Sequence, residues 1–491
     1  MLRTHRLLAL LQLFSKHETQ LFSEWLVSPF FNKSKRLVLL WEALKTHHPD
    51  YQNVQKSHLI AQAFDVPLSD NYFRDLLTDL TRQAEQFLVY LLHNEQLPNK
   101  RYLLLEVLLQ RGGYDLFAKY EARLLVEKQT DWLVGLSSEQ LYEQYQIEWL
   151  SYQHTTLTNN RAVSGNLLAA ITHFDWYYTT EKLRMEVLQL NRQNVVAGNY
   201  MPNNLFEELM QRLSKMDRNE MPILAKAYYL MANLFKQTEQ NTWYEQLKEL
   251  LIPLKADPNV SANERQQLYI LLSNYCRLQF TRTGNLAHAH EALALSKIML
   301  AEGVLYSGRY MSAHQFRNMV MLGILTKQFD WVREFMRRYK AEIAPEYRNN
   351  VHRFNLASLH FALSDYRKAQ EALRDIQFSG SEFIDVYYHL SYKTLLIKTY
   401  YETQEHEALL SALEAFRIYL TRNQAISARN REAYKNFIRL TAKLLQVQQS
   451  RKKRKQNLSD LIARTTILTE HEWLLEKNKT LRTMENIEID S

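Results

Sequence analysis

The sequence predicts an all-α fold: a right-handed α-α superhelix, or solenoid, of antiparallel helical pairs preceded by an N-terminal helical module. Three observations carry that expectation. Gly and Pro number only 10 and 9 in 491 residues. Typical shares are about 7 and 5 percent, so turn-formers are too few for a sheet-rich fold. Apolar residues recur at three-and-four spacing, which is the helical period, instead of alternating as strands do. A single pattern also returns through the second half: an aromatic-rich helix, a tight polar turn, then a helix that opens on a small residue.

The clearest unit runs from Arg353 to Gln377. Leu356, Ala357, His360 and Phe361 share one helical face, Ser364-Asp365-Tyr366 makes the turn, and Ala369, Ala372, Leu373 and Ile376 continue the spacing on the next helix. Antiparallel helices approach closely where side chains are small, so Ala357 and Ala369 mark the expected contact. Thr283-Gly284-Asn285-Leu286 leads in the same way to Ala289 and Leu293, and Lys327-Gln328-Phe329-Asp330 to Val332 and Met336. Thr403-Gln404-Glu405-His406 leads to Ala408, Ala412 and Ala415, and Arg111-Gly112-Gly113-Tyr114 to Ala118, Ala122 and Leu125.

With Ala289, Val332, Ala369 and Ala408 as equivalents, the steps are 43, 37 and 39 residues. The unit resembles a tetratricopeptide repeat in its small and large apolar positions. The steps exceed the roughly 34 residues of a strict repeat of that kind and approach the roughly 40 to 47 of other helical pairs. The resemblance implies a divergent, tetratricopeptide-like solenoid.

Residues 1–96 read as a separate helical module. Ser15-Lys16-His17-Glu18 has capping-box spacing and starts a helix that ends at Ser28-Pro29. Further helices are expected over about 34–47, 57–64 and 70–92, with breaks at Pro49 and at Val66-Pro67. The SPFFN string within Phe22 to Asn32, the Tyr72-Phe73-Arg74-Asp75-Leu76-Leu77 helix and Trp473-Leu474-Leu475-Glu476-Lys477 resemble an uncharacterised Bacteroidota family of helical-repeat proteins. That resemblance implies a bacterial chain and carries no activity with it.

Residues 97–450 are expected to be helical pairs throughout, joined at Asn159-Asn160, Gly198 to Pro202, and Pro253 to Ser261, with 451–491 a basic run and a last helix. Four tyrosine doublets, Tyr177-Tyr178, Tyr228-Tyr229, Tyr387-Tyr388 and Tyr400-Tyr401, fall inside expected helices. Their rings point about 100° apart and serve core packing, with an aromatic ligand groove as the alternative.

A lone Cys276 forms no intramolecular disulfide and fits a reducing, cytoplasmic setting. The apolar run Leu7 to Phe14 is too short for a secretory leader and reads as a first amphipathic helix. No stretch approaches the roughly 18 apolar residues of a membrane span.

Charge is concentrated. Between Arg429 and Lys455 ten Lys or Arg stand against Glu432, a net of +9, whereas the whole chain is +8. Arg431, Lys435, Arg439 and Lys443 step by four and form one expected basic row, with Tyr434, Phe437, Thr441 and Leu444 on the packing side. Arg451, Lys452, Lys453, Arg454 and Lys455 extend it. Like charges at this spacing disfavour a helix by roughly 0.2–0.5 kcal/mol per pair, which invites an anionic partner: nucleic acid, an acidic protein surface or anionic lipid. The alternative is a solvated last helix whose cations favour its C-terminal end. A helix-turn-helix resemblance over His58 to Leu77 is spoiled by Asp70, Asp75 and Asp79, poorly placed beside phosphates.

No phosphate loop, dinucleotide fingerprint, nucleophile elbow or H-E-x-x-H is present, and one cysteine removes Cys-cluster metal sites. His288 and His290, two apart on a helix, face apart. The expectation is a non-catalytic scaffold, without cofactor or metal, that binds a protein or peptide segment in its concave face. The competing reading is a nucleic-acid-associated protein gripping phosphates through the basic C-terminal helix.

Overall fold

A computed structural model describes residues 5–51, 54–96, 100–127, 137–158, 165–195, 204–236, 241–257, 260–303, 305–307, 310–376, 386–424, 426, 428–449 and 456–489. Among them the chain is all-helical, apart from a two-residue antiparallel pairing of Tyr306–Ser307 with Tyr310–Met311. It divides into two compact units, Met1–Gln129 with Glu143–Ile171, and Thr130–Tyr142 with Thr172–Ser491.

The first unit begins with α1 (Arg6–Leu11), α2 (Lys16–Val27), α3 (Lys35–Lys45), α4 (Lys56–Ala63) and α5 (Asp70–Gln96). The Ser15 capping box forms as the sequence predicts: Glu18 N donates to Ser15 Oγ at 3.1 Å and Ser15 N to the Glu18 carboxylate at 2.6 Å. The long α5 gathers α1, α2 and α3 around one core in which Leu7, Phe22, Leu40, Trp41, Leu80 and Ala84 are fully buried. Phe22 meets Trp41 edge-on at 4.9 Å. Both buried indoles find acceptors, Trp25 on Gln83 and Trp41 on Ser23, as rings with a polar edge require. Next in the chain come α6 (Tyr102–Gln110), α7 (Tyr114–Glu127) and α8 (Ser138–Leu157), which bring Leu105, Phe117, Ile147 and Leu150 together. Glu143, fully buried, accepts from the backbone and guanidinium of Arg101.

The second unit takes most of α9 (Gly165–Val195), then α10 (Asn204–Ser214), α11 (Ile223–Lys236) and α12 (Asn241–Ala256). Helix α11 is apolar all round and buried along nearly its whole length, Tyr228 and Tyr229 included, so both rings of that doublet are core. Pro253 lies inside α12, not in a connection. Burial of Leu251 and Leu254 on either side holds that last turn against the core. Four hairpins follow: α13 (Ala262–Thr283) with α14 (Leu286–Ala301), α15 (Ala313–Leu325) with α16 (Phe329–Tyr339), α17 (Pro345–Ala362) with α18 (Tyr366–Arg374), and α19 (Val386–Glu402) with α20 (His406–Arg422).

These hairpins and α6–α7 share one turn. A residue with positive φ stands two positions before each second helix: Gly112, Gly284, Lys327, Ser364 and Gln404. In four of them both bonds of a Schellman ending are present. Gly113, Gln328, Asp365 and Glu405 donate to the carbonyls of Leu108, Gly323, His360 and Tyr400. The left-handed residues Gly112, Lys327, Ser364 and Gln404 donate to Leu109, Ile324, Phe361 and Tyr401. Gly284 instead closes a single bond to Phe280.

Counting from the left-handed residue locates the contact. Seven positions before it in the four Schellman hairpins lie Leu105, Val320, Ala357 and Ile397, all fully buried. In the single-bond Gly284 hairpin that position is the exposed Arg277, and the neighbouring Cys276 is buried instead. Five positions after it lie Phe117, Ala289, Val332, Ala369 and Leu409, all fully buried. Two anchors expected from small residues are thereby displaced by one. Ala118 is exposed and Phe117 takes its place, whereas Ala408 is half-buried, Ala415 is exposed, and Leu409, Leu413 and Phe416 face the core. In the second helices the buried position is fixed by distance from the turn and not by residue size.

The chain ends with α21 (Ala428–Gln449), α22 (Gln456–Arg464) and α23 (His471–Ile489). Leu458, Ile462, Trp473 and Leu474 share one core with Leu390, Phe416 and Phe437. Glu402 accepts from Trp473 Nε1 at 2.9 Å and from Lys477 Nζ at 2.8 Å, locking α23 to α19.

Because a left-handed conformation costs an L-residue about 1–2 kcal/mol, part of which glycine returns as extra unfolded-state freedom, Lys327→Gly should stabilise the chain by about 0.5–1 kcal/mol. Gly323→Ala should do the opposite. Its Cβ would fall well inside contact distance of the stiff, buried Val332 and 3.2 Å from the Trp331 ring. Overpacking of about 1–3 kcal/mol outweighs the helix propensity gained. Urea titrations of the two variants against the parent measure both signs.

Candidate functional site

The basic row changes character on α21. Phe437, Thr441 and Leu444 are fully buried and Tyr434 half-buried, as the spacing predicts. Arg431, however, turns back onto α20. Its Nε donates to Leu420 O at 3.1 Å, and its Nη2 to Asn423 O at 2.9 Å and Ile426 O at 3.1 Å. A guanidinium on three carbonyls at a helix C-terminus answers orphan acceptors and the negative end of the helix dipole. Four residues advance a helix by 400°, so the row drifts as it climbs and its first member reaches a different neighbour from its last. Lys435, Arg439 and Lys443 remain exposed, Arg439 bonding only Asn436 at 3.1 Å, and no carboxylate pairs with any of the three among the described residues. Arg451, Lys452, Lys453, Arg454 and Lys455 lie outside the described residues, as do the expected connections at Asn159-Asn160 and Gly198 to Pro202.

A second set of cations, not singled out in the sequence, sits on the first helices of the hairpins. Arg317 of α15 lies 5.8 Å from the Phe354 ring of α17 and 5.7 Å from the Tyr388 ring of α19. Its Nη2 donates to Ser391 Oγ at 2.8 Å, and the Tyr388 hydroxyl donates to Ala313 O at 3.1 Å. Five residues after Tyr388 on α19, Lys393 Nζ lies 5.2 Å from the Tyr419 ring, on which His389 stacks at 5.6 Å. Burial holds the Lys393 ammonium below its ordinary value. Lys393, Ile418, Tyr419, Arg422, Asn423 and Gln424 line a cleft of about 630 Å³. Sequence spacing gave no signal for either group, because each joins side chains from three helices or from two ends of a hairpin.

Cys276 is fully buried in α13, as its apolar setting predicts, and its thiol donates to Tyr244 Oη at 3.4 Å. Burial pushes it up to about 11. His288 and His290 straddle the buried Ala289 and do not converge. Among the described residues no three His, Cys, Asp or Glu gather as a metal-ligand set. No helix there is long and apolar enough to cross a membrane. Helices α4 and α5, the helix-turn-helix resemblance, bury Leu59, Phe73, Leu76 and Leu77 in the core of the first unit.

No family model, curated protein or solved structure matches the chain.

Two outcomes follow from these environments. Arg431→Ala strips three carbonyls of their charged donor and should lower stability by about 1–3 kcal/mol, whereas Lys435→Ala should stay within about 0.5 kcal/mol, as read by thermal unfolding. With a thiol near 11, only about one part in a thousand of Cys276 is thiolate at pH 8, and none of it is accessible. Iodoacetamide should therefore leave the native chain unlabelled and modify it fully in guanidinium chloride, as read by intact mass.

Proposed function

We propose that this chain is a non-catalytic helical-repeat scaffold of tetratricopeptide-like type that binds a segment of another protein along the first helices of its hairpins. The observation that supports the reading is the placement of cations over aromatic rings on α15 and α19, Arg317 on Phe354 and Tyr388 and Lys393 on Tyr419, with no carboxylate partner for either cation among the described residues. Arginine and aromatic side chains dominate the energetics of protein interfaces. Stacked hairpins bury one side of each helix and leave the other free to vary without disturbing the core. The fold alone does not choose a partner.

A second reading rests on the exposed Lys435, Arg439 and Lys443, which suit a phosphate backbone and make nucleic acid the competing partner. One experiment separates the two: capture by the tagged full chain, with and without nuclease, followed by identification of protein and nucleic acid. A nuclease-resistant partner lost with Lys393→Glu and Tyr419→Ala, but kept when Lys435, Arg439 and Lys443 are changed to Glu, is the expected result. Recovery of nucleic acid that the triple variant abolishes, with a salt slope falling by about 0.9 per phosphate contact removed, would overturn it.

A further inference from the structure

Helix α19 carries one arrangement twice and completes it once. Lys398 Nζ lies 4.8 Å from the Phe361 ring and 5.8 Å from the Trp473 ring, and it donates to the Glu470 carboxylate at 2.7 Å. A half-buried ammonium on an aromatic face is thereby given its counter-charge by the chain itself. Five residues earlier Lys393 is also half-buried, with Nζ 5.2 Å from the Tyr419 ring, yet it makes no hydrogen bond or ion pair among the described residues. Burial lowers that ammonium from its ordinary value, and no carboxylate acts in the other direction. The second cation lining the same cleft, Arg422 at the end of α20, is exposed and likewise unbonded among the described residues.

The walls of that cleft are held by the chain. His389 stacks on the Tyr419 ring at 5.6 Å, and Asn423 Nδ2 donates to the Tyr419 hydroxyl at 3.2 Å. Asn423 is anchored in turn, because its carbonyl accepts from Arg431 Nη2 at 2.9 Å. Ala415, Ile418 and the Tyr419 ring supply apolar lining, and Lys393 and Arg422 supply charge. The cleft's volume of about 630 Å³ falls within the roughly 300–1,000 Å³ of ligand sites. A bare inorganic anion would engage the cations and leave the apolar lining wet, whereas a carboxylate carried on an apolar body satisfies both. Lys398 with Glu470 shows the geometry such a carboxylate completes on this helix. We infer that the cleft between α19 and the end of α20 binds a carboxylate on an apolar body, supplied by an acidic side chain with apolar neighbours on a protein segment. Lys393 meets the carboxylate beside the Tyr419 ring, and Arg422 adds a second donor from the rim. The protein source rests on the protein-binding reading above; the carboxylate site does not.

Lys393→Met is the informative variant, because it keeps an unbranched chain beside the ring and removes an ammonium that has no hydrogen bond to lose. That variant should unfold at the same temperature as the parent or a higher one. A blocked peptide with one glutamate between two leucines, titrated into the full chain at low ionic strength and followed by ligand-observed NMR, should bind saturably. Exchanging its glutamate for glutamine, or using the Lys393→Met chain, should each weaken binding by roughly tenfold or more. Arg422→Gln should weaken it by a smaller factor. No saturable binding of any carboxylate probe, equal binding to Lys393→Met, or a Lys393→Met chain that unfolds well below the parent would each overturn the site. Inorganic phosphate that binds more tightly than the glutamate peptide would overturn the carboxylate in favour of a phosphate. Phenylacetate is the free-carboxylate probe: binding of it through Lys393 without binding of the peptide supports the site while removing its link to a scaffold. A captured protein lost with Lys393→Glu, when neither peptide nor phenylacetate binds, keeps the scaffold reading and overturns the carboxylate site.

Discussion

The left-handed residue that ends each first helix is the constraint on which the hairpins depend. It reverses the chain within two residues and lets the last carbonyls of one helix accept bonds from the turn itself, as in the paired bonds to Gly323 and Ile324 or to His360 and Phe361. The next residue, Gln328 or Asp365, already caps the following helix. Rotation and rise are thereby fixed on both sides of the turn, so the positions that meet across the seam are set by counting. Val320 and Val332, Ala357 and Ala369, and Ile397 and Leu409 are buried because they stand seven before and five after that residue.

This explains what could be read in the sequence. Helix periods, the Ser15 box and the Arg353 to Gln377 hairpin are local, each specified by residues a few positions apart, and the structure has them. Residue size points to anchors at Ala118 and Ala408, yet Phe117 and Leu409 hold those positions, because the register is counted from the turn. Positive φ at Lys327, Ser364 and Gln404 carries no compositional mark, since none of these is glycine. All five turns are legible as polar breaks, but only Gly112 and Gly284 mark their left-handed residue by composition.

The candidate sites were legible in part. The exposure of Lys435, Arg439 and Lys443 follows from helical spacing against the buried Phe437, Thr441 and Leu444. Removing Arg431 from that row required knowing where α20 ends, a tertiary fact. Arg317 is separated by 37 residues from Phe354 and by 74 from Ser391, and no local pattern links them. In the same way Trp473, noticed only as part of a short string, closes the last core by bonding Glu402 across 71 residues.

The sharing of one residue between the end of a helix and the start of the next leaves these turns no slack. An inserted residue there would rotate the second helix by about 100° and carry its buried face into water. Differences in length between the hairpins accordingly lie away from the turns, in the helices and the stretches that join one hairpin to the next. The left-handed residues Gly284, Lys327, Ser364 and Gln404 follow one another at intervals of 43, 37 and 40, so the period wanders while each turn keeps its left-handed residue two positions before the second helix.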